Sequence, residues 1–205
     1  MKSYTIIDTF IRGTFLKSCA VVFALLLVGI APAQATLSNI AAGREVSLVS
    51  GSIGAGNLYS VTDEIFRPRG TQWQDGTVWW NGLSTILEID LGGTYALVGA
   101  IVQADDNDAY LLQYYDPDGQ TWHTLWDVPN YDNYGWGMQT RPNPDDDGQW
   151  LQFAFPVRTN KVRFSAAGGD NAYSVSEIQL AVPEPATLLL LGLGAPILSA
   201  VRKIR

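Results

Sequence analysis

The 205-residue sequence contains very little cysteine and histidine. Its single cysteine, Cys19, lies near the N-terminus, which excludes an intramolecular disulfide framework. Its single histidine, His123, has no second histidine for a metal pair, and the sequence has no G-x-S-x-G elbow and no P-loop. A pair of carboxylates for glycoside hydrolysis stays open, because the separation of two carboxylates in space cannot be read from sequence. We expect a protein that is not an enzyme.

Basic residues are also scarce between residues 36 and 182, where 7 Lys and Arg stand against 18 Asp and Glu, a net charge of −11. An acidic domain of this kind repels phosphate backbones, so we expect no nucleic-acid partner. Aromatic residues are plentiful, with 7 Trp and 9 Tyr in the whole chain. They can fill a core and still leave rings for a surface, which argues against a disordered chain.

The first 35 residues have the three parts of a secretory signal peptide. Lys2, Arg12 and Lys17 supply positive charge, an apolar run follows at 20–30, and the A-x-A sequence at 33–35 matches a cleavage site. An uncleaved membrane anchor is the alternative. The apolar run has only 11 residues, however, which at about 1.5 Å per residue is short for a bilayer. We expect the chain to be exported and cleaved.

The last 24 residues again have three parts. Val182-Pro183-Glu184-Pro185 is predicted to be extended, because each proline fixes its own φ and disfavours helix in the residue before it. An uncharged segment follows at 186–201, and a basic tail at 202–205 favours the cytoplasmic side. This order resembles the PEP-CTERM sorting signal of exported bacterial proteins, in which exosortase, a membrane-embedded protease, acts at the Pro-Glu-Pro region. An ordinary tail anchor preceded by prolines is the alternative.

The PEP-CTERM resemblance implies three segments: a signal peptide at 1–35, a domain at 36–181 and a sorting signal at 182–205 with a short, transient transmembrane helix. Hosts of this signal are typically Gram-negative bacteria that make exopolysaccharide and biofilm. The resemblance therefore implies an exported precursor anchored in the inner membrane. After processing by exosortase, the protein would reach the cell surface or the extracellular space.

Between the two ends, short apolar or alternating runs recur with turn residues between them, which predicts an all-β sandwich. Six stretches resemble the discoidin, or coagulation-factor type C, superfamily: VTDEIF at 61–66, GTQW at 70–73, LEIDLG at 87–92, YYDPDGQTW at 114–122, NKVRF at 160–164 and SVSEI at 174–178. The resemblance implies a galactose-binding-like jelly-roll β-sandwich whose end loops bind sugars or lipid head groups. One departure is the long polar stretch at 126–150, predicted to be a loop insertion, so the family's binding loops need not carry over.

The discoidin resemblance also implies a structural Ca²⁺ held by Asp63, Thr71 and Glu177 together with backbone carbonyls, all hard oxygen ligands. The alternative is that Asp63 and Thr71 cap turns while Glu177 is solvated on a strand. The acidic stretches at 105–108 and 145–147 could bind Ca²⁺ or sugar hydroxyls, or could form solvated turns.

A sugar site needs aromatic rings beside planar polar groups, because a ring covers the C–H face of a pyranose while carboxylates, amides and guanidinium groups meet its hydroxyls. Neighbouring side chains on a strand face opposite sides, so one ring of the tryptophan pair at 79–80 is expected in the core and the other exposed. For any single Trp, core packing is the alternative. The candidate carbohydrate-binding residues are Trp79, Trp80, Asp105, Asp106, Asn107, Asp108, Tyr134, Trp136, Arg141, Asp170 and Asn171.

The sequence thus predicts an exported, non-catalytic protein that binds carbohydrate, either the producer's exopolysaccharide or an envelope glycan. Its negative charge disfavours a strongly anionic glycan unless calcium bridges the two. The alternative is a structural or adhesive matrix protein that binds other proteins and has no sugar site. An exposed, concave patch formed by Trp79 or Trp80 with the 134–141 loop would favour the first reading, and a flat surface with those rings buried would favour the second.

Overall fold

Residues 36–131 and 135–184 are described by a computed structural model. The predicted signal peptide and the chain from Pro185 onward lie outside these residues. The strands are β1 (Leu37–Asn39), β2 (Val46–Ser50), β3 (Val78–Asn81), β4 (Ile86–Asp105), β5 (Ala109–Asp116), β6 (Thr121–Val128), β7 (Met138–Arg141), β8 (Leu151–Gly168) and β9 (Ala172–Pro183), with one 3₁₀ helix at Leu58–Val61. Within the described part of the chain, no helix is long and apolar enough to cross a membrane.

Two long strands, β4 and β8, each belong to both layers of a sandwich. The first part of β4, residues 86–90, pairs with β2 on one side and with the end of β8 on the other. In the same layer, β8 pairs with β5, and β5 pairs with β6. The last part of β4 pairs with β9 and β7, and β9 carries β1 and β3 on its other edge. All of these pairs are antiparallel. The predicted all-β sandwich is confirmed.

Strand β4 continues through the Gly92-Gly93 pair, where the sequence indicates a turn between two strands. The chain bends there without leaving the strand, and its register with β8 shifts between Asp90 and Tyr95. A side-chain oxygen of Asp90 accepts the backbone N–H of Gly92 at 2.8 Å, and Gly92 has φ +70°. Glycine adopts this left-handed conformation without steric cost, which allows the bend.

Aromatic rings from four strands form the centre of the core. Trp80 of β3 contacts Tyr110, Phe164 and Tyr173, with ring centroids 6.1 to 6.4 Å apart. Tyr110 and Phe164 stack at 5.0 Å. These rings come from both layers, so their burial holds the layers together, and truncating one such ring typically costs about 3–5 kcal/mol.

The predicted loop insertion at 126–150 contains a strand that the sequence pattern did not indicate. Strand β7 is four residues long and pairs with the end of β4 from Val102 to Asp105. All four of its residues are buried. The strand was not recognised because its sequence, MQTR, lacks apolar alternation and lies between Gly137 and Pro142.

Candidate functional site

Three connections meet at one end of the sandwich: the β4–β5 turn, the loop between β6 and β7, and the β8–β9 turn. Asp106 joins the first two through its backbone. Its N–H donates to the carbonyl of Gly137 at 3.2 Å, and its carbonyl accepts from the N–H of Tyr131 at 2.8 Å. Most of the candidate carbohydrate-binding residues lie at this end, although the three connections that carry them are more than twenty residues apart in the chain.

Arg141 organises this end from inside. It is fully buried, and its guanidinium lies 5.4 Å from the ring centroid of Tyr131. Its three nitrogens donate five hydrogen bonds of 2.7 to 3.2 Å to the backbone carbonyls of Ala104, Asp105, Asp108, Pro129 and Gln139. The prediction that Arg141 contacts a sugar is therefore wrong for its side chain, because every N–H of the fork is used to hold the loops.

The carboxylates of the β4–β5 turn are buried instead of solvated. Asp106 accepts the backbone N–H of Trp136 at 2.8 and 3.0 Å and an amide N–H of Gln139 at 3.0 Å. Asp108 accepts the backbone N–H of Asp170 at 3.2 Å and the hydroxyl of Tyr110 at 3.3 Å. These two side chains hold the neighbouring loops in place, so the solvated-turn alternative does not apply to them.

Burial changes the acidity of two of these groups. It raises the pKa of Asp105 to about 6, with a further contribution from the charge of Asp106. It also raises the pKa of Asp108 to about 7, with contributions from the charges of Asp105 and Asp170. The end of the sandwich thus contains several carboxylates whose charges are poorly compensated.

Trp136 stands at the edge of a groove, here called the aromatic groove. It has a volume of about 690 Å³ and is lined by Arg69, Gly70, Tyr131, Trp136, Gln139 and Pro144. The indole is 68% exposed, and the ring of Tyr131 is also partly exposed. Asp145, from the second acidic stretch, forms an ion pair with Arg69 beside this groove. The groove combines two aromatic rings with an amide and a guanidinium group.

A second cavity, here called the polar pocket, has a volume of about 440 Å³. It is lined by Asn107, Ala109, Asn130, Gly168, Gly169 and Asp170. The side-chain amide of Asn107 donates to the carboxylate of Asp170 at 3.0 Å. Neighbouring residues Asn130 and Tyr131 line different cavities, so the polar pocket adjoins the aromatic groove.

The tryptophan pair of β3 is divided between core and surface, as strand alternation predicts. Trp80 is fully buried, so its ring has no face for a sugar and its prediction as a ligand is wrong. Trp79 is half-buried, edge-to-face with Trp73 at 5.2 Å. Asn171 is exposed, and its backbone carbonyl accepts from the side chain of Asn81 at 3.0 Å. Tyr134 lies outside the described residues.

The predicted calcium ligands differ in burial and in hydrogen bonding. Glu177 is fully buried; one carboxylate oxygen accepts the N–H of Glu64 at 3.2 Å, and the other has no hydrogen-bond partner among the described residues. Burial raises the pKa of Glu177 to about 8, helped by the charges of Asp63 and Glu64. Glu177 is therefore not solvated.

The other two predicted ligands do cap turns. Asp63 accepts the N–H of Ile65 at 2.9 Å, and Thr71 donates its hydroxyl to the carbonyl of Pro68 at 2.6 Å. The described residues contain no group of three His, Cys, Asp or Glu side chains arranged to hold a metal. The free, buried oxygen of Glu177 beside the Asp63 carboxylate nevertheless fits a hard cation whose remaining ligands are backbone carbonyls.

Sequence reasoning missed several residues of the two cavities. Tyr131 and Asn130 belong to the polar insertion, where the density of aromatic and amide residues was the available signal. Gln139 was not identifiable, because its place beside Trp136 depends on the pairing of β7 with β4.

Comparison with protein-family models matches residues 181–205 to the PEP-CTERM protein-sorting motif. This confirms the predicted sorting signal and indicates an exported protein that is processed at the cell envelope. No curated protein matches the chain.

Solved structures match the sandwich. A fucose-binding module of Streptococcus pneumoniae, SpX-3, has a TM-score of 0.50 and 18% identity, over 72% of this chain and 99% of that chain. The family 32 carbohydrate-binding module of Clostridium perfringens NanJ, solved with galactose, has a TM-score of 0.48 and 12% identity, over 72% of this chain and 100% of that chain. Identities this low show similarity of fold alone. The chain therefore combines a discoidin-like β-sandwich, of the kind found in carbohydrate-binding modules, with a C-terminal PEP-CTERM protein-sorting motif.

Proposed function

We propose that the exported protein binds carbohydrate without catalysis, and that the indole of Trp136 is the surface on which a pyranose ring stacks. One observation carries this proposal: a tryptophan that is 68% exposed is held at a groove by two hydrogen bonds from its own backbone N–H to Asp106. Fixing the backbone at this position before binding lowers the entropy cost of association. An exposed aromatic ring beside polar groups is what sugar binding requires.

The polar groups of the groove are suited to hydroxyls. Gln139 donates one amide N–H to Asp106, and this hydrogen bond fixes the orientation of the Gln139 amide, including its carbonyl oxygen. Arg69 and the backbone of Gly70 line the opposite side. A few such groups around an aromatic ring set the orientation of a sugar, while the ring supplies most of the contact area.

The ligand in this proposal is exopolysaccharide or an envelope glycan of the producing cell. Exosortase would process the precursor at the inner membrane before the domain reaches the surface or the medium. The charge of −11 between residues 36 and 182 disfavours a strongly anionic glycan. The buried aspartates at this end are engaged in holding backbone, which supports a binding role over hydrolysis.

We also propose that Glu177 and Asp63 bind Ca²⁺ together with backbone carbonyls. The cation would compensate a buried carboxylate that has one oxygen without a hydrogen-bond partner among the described residues. Its role would be structural, because Glu64 and Asp63 belong to the segment that leads from the 3₁₀ helix towards Gly70 of the groove.

A glycan array tests the binding proposal. The full chain, purified in a detergent without a sugar headgroup, is applied with calcium and again with a chelator. Trp136→Ala should lower the affinity for the bound glycan about tenfold or more. Phe155→Ala is the matched control, since Phe155 is an 80% exposed aromatic residue that does not line the groove. Absence of binding by the folded wild type would favour the matrix-protein alternative, and equal loss in both variants would refute a specific role for Trp136.

A further inference from the structure

The polar pocket and the aromatic groove lie close together. Asn130 lines the pocket and the next residue, Tyr131, lines the groove. A Cβ atom placed on Gly135 would lie 3.6 Å from the side chain of Asn107, which lines the pocket, while the next residue, Trp136, lines the groove. Cavities this close can accept two neighbouring units of a single chain.

The two cavities differ in chemistry. The aromatic groove has two rings and one guanidinium, whereas the polar pocket has one exposed carboxylate, two amides and two glycines. Asp170 supplies the carboxylate, and its oxygens accept from the amide of Asn107 at 3.0 Å and from the N–H of Ala172 at 3.0 Å. Each carboxylate oxygen has a second lone pair, so Asp170 can still accept from a ligand.

The carboxylate that lines the polar pocket belongs to the exposed Asp170. Asp108, which accepts the backbone N–H of Asp170, is buried, and burial raises its pKa to about 7, so at mildly acidic pH the pocket's negative charge comes from Asp170. The guanidinium packed against this turn belongs to Arg141, and all five of its N–H groups donate to carbonyls. A cationic ligand group would be attracted here, and an anionic one would be repelled.

We infer that the two cavities are adjacent subsites for one oligosaccharide, and that the unit in the polar pocket carries a protonated amino group. This inference rests on the proposed carbohydrate-binding function and names its ligand class, an amino sugar that is not N-acetylated. The ammonium group has three N–H donors and no acceptor. The residues that line the pocket can supply matching acceptors: the Asp170 carboxylate, the amide oxygen of Asn130 and the backbone carbonyls of Gly168 and Gly169. N-acetylation removes both the charge and two of the donors.

The test compares a trimer of glucosamine with the same trimer in its N-acetylated form. Binding to the full chain in sugar-free detergent is measured by calorimetry at mildly acidic pH and low salt, where the amine is protonated. The amino trimer should bind about tenfold more tightly, because hydrogen bonds between charged groups are stronger than neutral ones. Added salt should reduce this preference, because the pocket is open to solvent.

Asp170→Asn should remove most of the preference by lowering affinity for the amino trimer alone. The side chain keeps its shape and an acceptor oxygen for the backbone. Asp118→Asn is the matched control: this exposed carboxylate lies in the β5–β6 turn, at the other end of β5 from the pocket. If Asp170→Asn fails to fold, the salt dependence of the wild-type preference decides the question.

Equal affinity for the two trimers, with binding that still depends on Trp136, would overturn the ligand class and leave the proposed function intact. A preference that is unchanged in Asp170→Asn would overturn the assignment of the ammonium to the polar pocket. Failure to bind either trimer by a protein that binds other glycans through Trp136 would also overturn the inference. The proposed carbohydrate binding itself fails if the array finds no glycan.

Discussion

Glu88 and Glu177 are two buried glutamates of the same sandwich with opposite surroundings. Glu88 is 8% exposed, and its two oxygens accept from Lys161 at 2.9 Å and from Arg163 at 3.0 Å. Glu177 is inaccessible, has one oxygen without a hydrogen-bond partner among the described residues, and lies near the charges of Asp63 and Glu64. Burial alone therefore does not reveal a carboxylate's role. What distinguishes the two sites is whether the fold supplies a compensating cation.

The largest difference between the two glutamates should appear in how calcium changes the free energy of unfolding of their variants. At a calcium concentration about 100-fold above its dissociation constant, the free energy of unfolding should rise by about 2.7 kcal/mol. For a chain of this size this corresponds to roughly 5–10 °C in melting temperature. Glu177→Gln should abolish the rise, and Glu88→Gln should leave it unchanged. Calorimetry with calcium and with a chelator checks this; an equal rise in both variants would place the ion elsewhere.

In chelator, stability should depend on pH because of Glu177. Its pKa is raised from 4.5 in the unfolded chain to about 8 in the folded state, so the folded state holds more protons within this window. The free energy of unfolding should therefore fall by roughly 2 kcal/mol as the pH rises from about 5 to about 8. Asp105 and Asp108 contribute in the same direction, because their pKa values are also raised.

Denaturant titrations across this pH range measure the effect. Glu177→Gln should flatten the dependence, since an amide does not titrate, and calcium should flatten it in the wild type. Stability that increases with pH in chelator would mean that the Glu177 carboxylate is already compensated by a positive charge.

Removing the Glu88 carboxylate should have a smaller effect with the opposite sign. Glu88→Gln leaves Lys161 and Arg163 facing each other without the anion between them. We expect a loss of about 1 kcal/mol in the free energy of unfolding at neutral pH, because both cations are partly exposed and solvent screens the pair. Thermal melts of the variant in chelator measure this; a gain in stability would show that desolvation of Glu88 outweighs its ion pairs.

The smallest effect should come from Lys161→Met. The lysine side chain is 36% exposed, and its hydrogen bond to Glu88 raises the pKa of Lys161. After the substitution, Arg163 still compensates the charge of Glu88. We expect a loss of about 0.5 kcal/mol or less. Chemical denaturation at low and high salt checks this value, and a large, salt-insensitive loss would contradict a screened surface pair.

Much of the sandwich was predictable because strand signals are local. The alternation of side chains along a strand correctly predicted that one ring of the tryptophan pair at 79–80 lies in the core, and this ring is Trp80. Strand β7 and the continuity of β4 through its glycine pair were not predictable, since both depend on pairing with distant residues. The composition of the site was partly predicted: Trp136 and Asp170 line cavities, whereas Arg141 holds backbone. Sequence can suggest which residue types are present, but the direction of a long side chain is decided by packing.

Strand β9 begins beside Asp170 of the polar pocket and ends at Pro183, which pairs with Leu37 of β1. Its 12 residues therefore separate the end that carries the two cavities from Pro183 by roughly 35 Å. Leu37 and Pro183, the first and last strand residues of the sandwich, pair with each other at the far end. A tether at either strand residue would therefore leave the two cavities free of the attachment point.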